Sequence, residues 1–256
     1  MRPPPRLWLF LGAMAVLAAF IGWGAWGLPG FGRYPGPYGD VVNRIGVPER
    51  HATDMVSAVN MDIRGVDTIG EEFILFAATV GVMVLLRTLR EEEEKPESQA
   101  GPARERPGTT DLMRVGGLAV SGPLVVLGIY ILGHGQLTPG GGFQGGVILA
   151  SAPVLVYLAG ERLIVGKIPP LSVLEVAEAV GAGGFVAVGL AALALGAAFL
   201  QNVAPLGTTG QLDSAGTITI INAVVALEVA AAMGIVVSEY LEQQLMMRGG
   251  APEGGE

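Results

Sequence analysis

Glu228 lies in the run NAVVALEVAAAMG, near the middle of an apolar stretch long enough to cross a bilayer. A charged side chain at the centre of a membrane helix costs about 2.5–3.5 kcal/mol on insertion scales, so a glutamate there normally faces protein or water and marks an ion or proton path. A protonated Glu hydrogen-bonded to a neighbouring helix is the structural alternative. Glu175 and Glu178 sit about one turn into another apolar stretch, where snorkelling towards the interface competes with a role in transport. Glu175 also heads an i, i+4 row of small residues, Ala179, Gly183, Ala187 and Ala191, along which a second helix could approach closely. A third group of acids has a polar setting: HATDMVSAVNMDIRGVDTIGEEF carries Asp54, Asp62, Asp67, Glu71 and Glu72 together with Arg64. The plain reading of Glu71 and Glu72 is that they complement the dipole at the start of a helix.

The same inventory excludes much. There is no Cys, hence no disulfide, thiolate metal site or Cys nucleophile. The two His, His51 and His134, are far apart in sequence and no H-E-x-x-H occurs, which argues against a metal centre and leaves no nucleophile–base pair for an enzyme. HGQLTPGGGFQGG contains a formal G-x-G-x-x-G at Gly140, Gly142 and Gly145, but a dinucleotide site needs a strand before it, and an apolar helix stands there. A turn or re-entrant backbone, permitted by Pro139 and the three glycines after it, explains the motif better. Such backbone is tolerated at membrane depth only where it is buried in protein or lines a cavity. With 15 basic against 23 acidic residues the net charge is −8, and no basic patch is available for nucleic acid.

Apolar helices must position these residues. Charged residues make up 15% of the chain, against roughly 25% in soluble domains. Six stretches approach the roughly 20 apolar residues that a membrane span requires: 7–27, 71–89, 115–133, 145–165, 173–200 and 216–241. The sequence therefore predicts an all-α integral membrane protein of about six transmembrane helices. The first stretch follows MRPPPR and imitates a secretory signal. It is too long for a signal core and ends in WGAWG, suited to a membrane interface, so a retained helix is expected. After it, LPGFGRYPGPYGD holds Gly and Pro that argue against regular helix.

Between the second and third stretches, REEEEKPESQAGPARERPGTTD has no apolar periodicity and reads as a disordered cytoplasmic linker. The expected organisation is a two-span domain at 1–90, the linker at 91–111, a four-span domain at 112–245 and a disordered tail at 246–256. With the N-terminus inside, the inner segments hold Arg2, Arg6, Arg87, Arg90, Lys95, Arg104, Arg106, Arg114, Arg162, Lys167 and Arg248. The outer segments hold only Arg33, Arg44, Arg50 and Arg64. That asymmetry predicts both termini in the cytoplasm.

Two motifs carry a resemblance. VNMDIRGVDTIGEEFILFAATVGV, with its D-x-R-G-x-D-T-x-G-E pattern, resembles the C-terminal segment of the large MnhA-type component of Mrp/Mnh-type multisubunit Na⁺/H⁺ antiporters and its small counterpart, the E-type component of membrane-bound hydrogenases. GHGQLTPGGGFQGGVILA, with SAGTITIINAVVALEV further on, resembles the MnhB-related domain of the same antiporters. The first resemblance covers about residues 8–90 and the second about 112–242, so the chain looks like a fusion of two neighbouring subunits. It departs from the MnhB-related pattern at Ile218, where the family often has Pro.

The resemblance implies a membrane subunit of a prokaryotic plasma-membrane complex that exchanges monovalent cations for protons. The implied partners are other subunits of that complex, monovalent cations and protons, and the lipid bilayer, with no metal, cofactor or nucleic acid. Asp62, Arg64, Asp67 and Glu71 match the first motif, and Glu228 falls in the matching LEV of the second. His134, Pro139, Gly140, Gly141, Gly142, Phe143, Gly145 and Gly146 form the loop motif. Candidate ion-translocating acids are thus Glu228, Glu71, Asp67, Asp62, Glu175 and Glu178. No apolar stretch has a Lys at its centre, so the chain alone is not expected to complete an exchange cycle. Two other readings stand beside this one: a structural or assembly subunit of a hydrogenase-like or other respiratory ion-pumping complex, and a self-sufficient small transporter or intramembrane enzyme.

Overall fold

In the computed structural model the described residues are 5–28, 30, 32, 36–93, 110–159 and 171–249, and among them the chain is helical with no strand. It divides into two units, Met1–Val41 and Val42–Glu256. The first unit holds α1 (Pro5–Trp26), an apolar helix on which Phe20 and Trp23 meet edge to face at 6.0 Å. Helix α2 (Pro37–Arg50) runs across the division. It corrects the expectation that Gly and Pro preclude helix as far as Asp40. Pro37 occupies the first helical position, where a missing N–H forfeits no intrahelical bond and the fixed φ suits the helix.

The second unit continues with α3 (Met55–Ala58), whose first turn is capped by the Asp54 carboxylate accepting from the Val56 and Ser57 amides. A single π-turn, Val59–Ile63, follows, and then α4 (Gly65–Glu93). Helix α4 starts six residues before the expected span, and the Thr68 hydroxyl donates to the Asn60 carbonyl at 2.7 Å across the junction. Asp67 is therefore the first-turn acid, and Glu71 and Glu72 fall in the second turn. Next come α5 (Asp111–Gly133), α6 (Gly142–Leu158), α7 (Leu171–Ala194) and α8 (Thr217–Gly249).

Helices α1, α4, α5, α7 and α8 are long and apolar enough to cross a membrane, and α6 is a shorter apolar helix. The expected fourth span reached to Val165, but residues 160–170 lie outside the described residues, as do 94–109 of the expected linker and 250–256 of the expected tail. Helix α4 enters the expected linker by three residues, and α8 enters the expected tail by four. Helix α7 stops short of Leu200 because the chain turns at Gly196, φ 79°, into an irregular connection that lasts to α8.

Helix α8 is the axis of the second unit: half of its membrane window is buried within the chain, against 6% for α5. It packs along α4, α6 and α7, while α5 pairs with α6. The core is built from Ile218, Ile221, Val225 and Val229 of α8 with Phe185, Met61 and Leu200. One end of this bundle is capped by three connections bonded to each other. The Thr53 and Asp54 amides donate to the Gln136 carbonyl, both at 3.1 Å, and the Ser57 hydroxyl donates to the Gly135 carbonyl at 2.5 Å. The Gln136 amide donates to the Leu212 carbonyl at 3.0 Å. So α4, α6 and α8 start at the capped end, and α5 and α7 finish there.

Candidate ion-translocation site

On α4, Thr68, Glu72 and Thr79 are all at most 2% exposed. Their spacing, i, i+4 and i+11, puts them on one face of a helix. Glu71 lies about 100° round the helix and is exposed on this chain. On α7 the buried face is Glu178, Gly181, Ala182, Phe185, Gly189 and Ala192. On α8 Glu228 is fully buried. The three faces meet, and Glu72, Glu178 and Glu228 point into the junction.

Glu228 and Glu72 face one another, close enough to interact electrostatically and short of a hydrogen bond of ordinary geometry. No oxygen of either carboxyl has another hydrogen-bond partner. Glu178 stands against the Thr79 hydroxyl and feels both Glu228 and Glu175. Thr79 Oγ1 donates to the Leu75 carbonyl of its own helix at 3.1 Å. Gly181 lets α7 and α8 come this close: a Cβ there would fall 2.6 Å from the Glu228 amide nitrogen and Cβ. Small residues at such a contact are what lets membrane helices pack backbone to backbone. Among the described residues no group of three or more His, Cys, Asp or Glu side chains is placed to hold a metal ion.

The other residues singled out in the sequence take different places. Asp62 lies at the capped end, in an ion pair with Arg50 at 2.9 Å, and accepts from the Asn202 amide at 3.4 Å. Burial pushes its carboxyl above the usual range, against the Arg50 guanidinium and the Asn202 hydrogen bond, which pull it down. Asn202 is also the cap of α8: its Oδ1 accepts from the Thr217 amide and its Nδ2 donates to the Ala215 carbonyl, both at 2.9 Å. Arg64 and Asp67 pair with each other on the exposed side of α4. Glu175 is half-buried one turn before Glu178. Its row of Ala179, Gly183, Ala187 and Ala191 is exposed, so the row that packs within this chain is the one headed by Glu178.

The glycine loop serves as a turn that locks α6 to α8. Gly141 takes φ 118°, a conformation that side chains disfavour, and the Gly142 amide donates to Asn222 Oδ1 at 2.8 Å. Gly140, with φ 154°, and exposed Pro139 precede it, and half-buried Phe143 packs against the core. Gly145 and Gly146 bring α6 against α5 and α8: added Cβ atoms would fall 3.0 Å from the Gly128 carbonyl and 2.8 Å from Val229 Cβ. His134 stacks on Tyr130 at 4.1 Å, its Nδ1 2.9 Å from the Tyr130 carbonyl, away from the acids.

Sequence reasoning passed over Glu72 as a site residue, and Thr79, Asn202 and Asn222 altogether. The stripe Thr68, Glu72, Thr79 in a span otherwise apolar was the readable signal for the first two.

Residues 112–235 match the family described as a domain related to the MnhB subunit of Na⁺/H⁺ antiporters. An uncharacterized protein of Methanocaldococcus jannaschii is 30% identical across 75% of this chain and 78% of its own length. Among solved structures, a chain of the membrane-bound sulfane sulfur reductase, an archaeal respiratory membrane complex, superposes with a TM-score of 0.67 at 29% identity, over 92% of this chain and 98% of that one. A chain of the Mrp complex from Dietzia sp. DQ12-45-1b shares the fold with a TM-score of 0.64 at 22% identity, over 93% of this chain and 26% of that one.

Proposed function

The chain belongs to the MnhB-related family and is a membrane subunit of an Mrp/Mnh-type antiporter or a related respiratory membrane complex, and from that premise we propose that it serves exchange of a monovalent cation, Na⁺, for protons by contributing buried acids to the ion path. The observation that carries this reading is the facing pair Glu72 and Glu228, both at most 2% exposed and without other hydrogen bonds, within membrane-spanning helices. Keeping two ionisable groups there is costly unless they are used. Glu178 extends the pair. On this reading Asp62 and Asp67, each in an ion pair, act as structural acids of the D-x-R-G-x-D motif, and Glu71 faces whatever covers α4 in the complex. The two resemblances, at about 8–90 and 112–242, make the chain two subunit-like parts joined in one polypeptide, in a prokaryotic plasma membrane with both termini cytoplasmic.

The test is Glu228→Gln in the whole complex, with Na⁺-driven proton flux measured in everted vesicles and assembly checked on native gels. The amide keeps hydrogen-bonding capacity and loses the titrating proton, so assembly is retained and flux falls at least tenfold. Wild-type flux in an assembled complex removes the proposal. A second reading, a subunit that couples ion movement to respiratory electron transfer, is favoured by the sulfane sulfur reductase chain, which this protein matches over nearly its whole length. Under it, ion movement in vesicles requires an electron donor; under the first it requires only a cation gradient.

A further inference from the structure

The acids at the α4–α7–α8 junction are not gathered round one point. Glu72 faces Glu228, and Glu178 lies one turn, about 4.5 Å of helical rise, beyond the Gly181–Glu228 contact, on the side away from the capped end. They form successive steps along helices long enough to cross a hydrocarbon layer about 30 Å thick. We propose that Glu72, Glu228 and Glu178 are a proton relay through this subunit, that its cargo is protons and not Na⁺, and that the Thr79 hydroxyl is the positioning group that holds Glu178 in both of its charge states. The proposal rests on reading the chain as part of an ion path and says which ion uses it.

Four observations support it. First, two buried carboxyls that face each other repel when both are ionised, so the Glu72–Glu228 pair is suited to share one proton that either can carry. Transfer breaks the O–H bond on one carboxyl as an O–H bond forms on the other, and the negative charge moves the opposite way. Second, Gly181 presses on the Glu228 backbone, and Glu178 is one turn from Gly181 on the same face, away from the capped end. That places Glu178 as the next acceptor beyond Glu228. Third, Oε1 of Glu178 has no hydrogen bond although the residue is 1% exposed. This unsatisfied oxygen is a place for an arriving proton. Fourth, Thr79 has a hydroxyl that suits either state. While it donates to Leu75 its oxygen can accept from protonated Glu178, and by rotating it can donate to ionised Glu178 instead. A Na⁺ site would need several oxygens converging on one centre, and among the described residues no three such side chains are placed to hold an ion.

The experiment uses the whole complex, purified and reconstituted in liposomes, with Na⁺ as the probe. In Glu178→Gln and Thr79→Ala the maximal exchange rate falls at least tenfold while the Na⁺ concentration for half-maximal flux stays within twofold, and Thr79→Ser recovers most of the rate. A tenfold rise in half-saturating Na⁺ in Glu72→Gln or Glu178→Gln makes the cluster a cation site; this overturns the relay and leaves the ion-path reading standing. Wild-type rates in all variants, Glu228→Gln included, overturn both. Infrared difference spectra of the wild-type complex need no variant. Adding Na⁺ to Na⁺-free complex leaves the band of a buried protonated carboxyl in place under the relay, and its loss on Na⁺ addition rules the relay out.

Discussion

Gly181→Ala is the sharpest test of how α7 and α8 present the acids. The added methyl would lie 2.6 Å from the Glu228 Cβ and amide nitrogen and 2.8 Å from its Cα, where ordinary contact starts at 3.4 Å. Two of those atoms are backbone and cannot swing away, so α7 must retreat by about 0.8 Å, the kind of overpacking that costs about 1–3 kcal/mol. Alanine repays about 1 kcal/mol of helix propensity over glycine. The net effect on stability is then about 0–2 kcal/mol, and the complex assembles. Transport is far more sensitive, since a displacement near 1 Å between reacting groups can cost about a hundredfold in rate. Flux in everted vesicles should therefore drop at least tenfold with melting temperature little changed. Gly183→Ala is the control: nothing lies within 4 Å of its Cβ position, so that variant should transport normally and be at least as stable. Wild-type flux in Gly181→Ala would mean that α7 and α8 do not meet at Glu228, and the argument for Glu178 as the next step would fail with it.

Three further outcomes follow from the capped end. Asn202→Ala removes the acceptor for the Thr217 amide and should cost about 0.5–2 kcal/mol, read as a melting temperature a few degrees lower for the purified complex; an unchanged value would refute the cap. Asp62 is held above its ordinary value of 3.8, so its proton binds more tightly in the folded chain than in the unfolded one. The stability this confers is complete below 3.8 and is lost as pH rises through the raised value. The melting temperature of wild type relative to Asp62→Asn should thus decline from about pH 4 upwards, and a difference that grows with pH would reverse the sign of the argument. Residues 1–95 and 108–256, co-expressed as separate chains, should assemble and restore flux, because the Thr53, Asp54 and Ser57 bonds to Gln136 and Gly135 reconnect them without the linker; failure with both chains present would end the two-part reading.

Apolar run length foretold the helices because the bilayer leaves a chain few other ways to satisfy its backbone. It foretold their ends less well, since composition does not mark where backbone geometry changes. The π-turn at Val59–Ile63 inserts one residue into a helical turn and leaves no trace in the letters VNMDI. Pro37, which looks like a helix breaker, is a helix opener at its position. The loss of α7 before Leu200 depends on Gly196, one glycine among many in an apolar stretch.

The acids show the same division more finely. Glu228 was legible because its cost at mid-span is independent of what surrounds it. Its counterpart was not, because Glu71 and Glu72 are chemically identical neighbours and only helical phase separates them. Phase was nonetheless written in the sequence: Thr68 and Thr79 share the face of Glu72 and not that of Glu71. On α7 two rows contain small residues, the one from Glu175 and the one from Glu178, so smallness could not choose between them. The packed row differs in alternating gap and knob, Gly181, Phe185, Gly189, which gives a partner helix somewhere to enter and something to enter around. A polar stripe at helical spacing on one span and a gap-and-knob row on another are therefore the pair of signals that would have joined Glu72 and Glu178 to Glu228. Neither depends on the charge of the residue being sought.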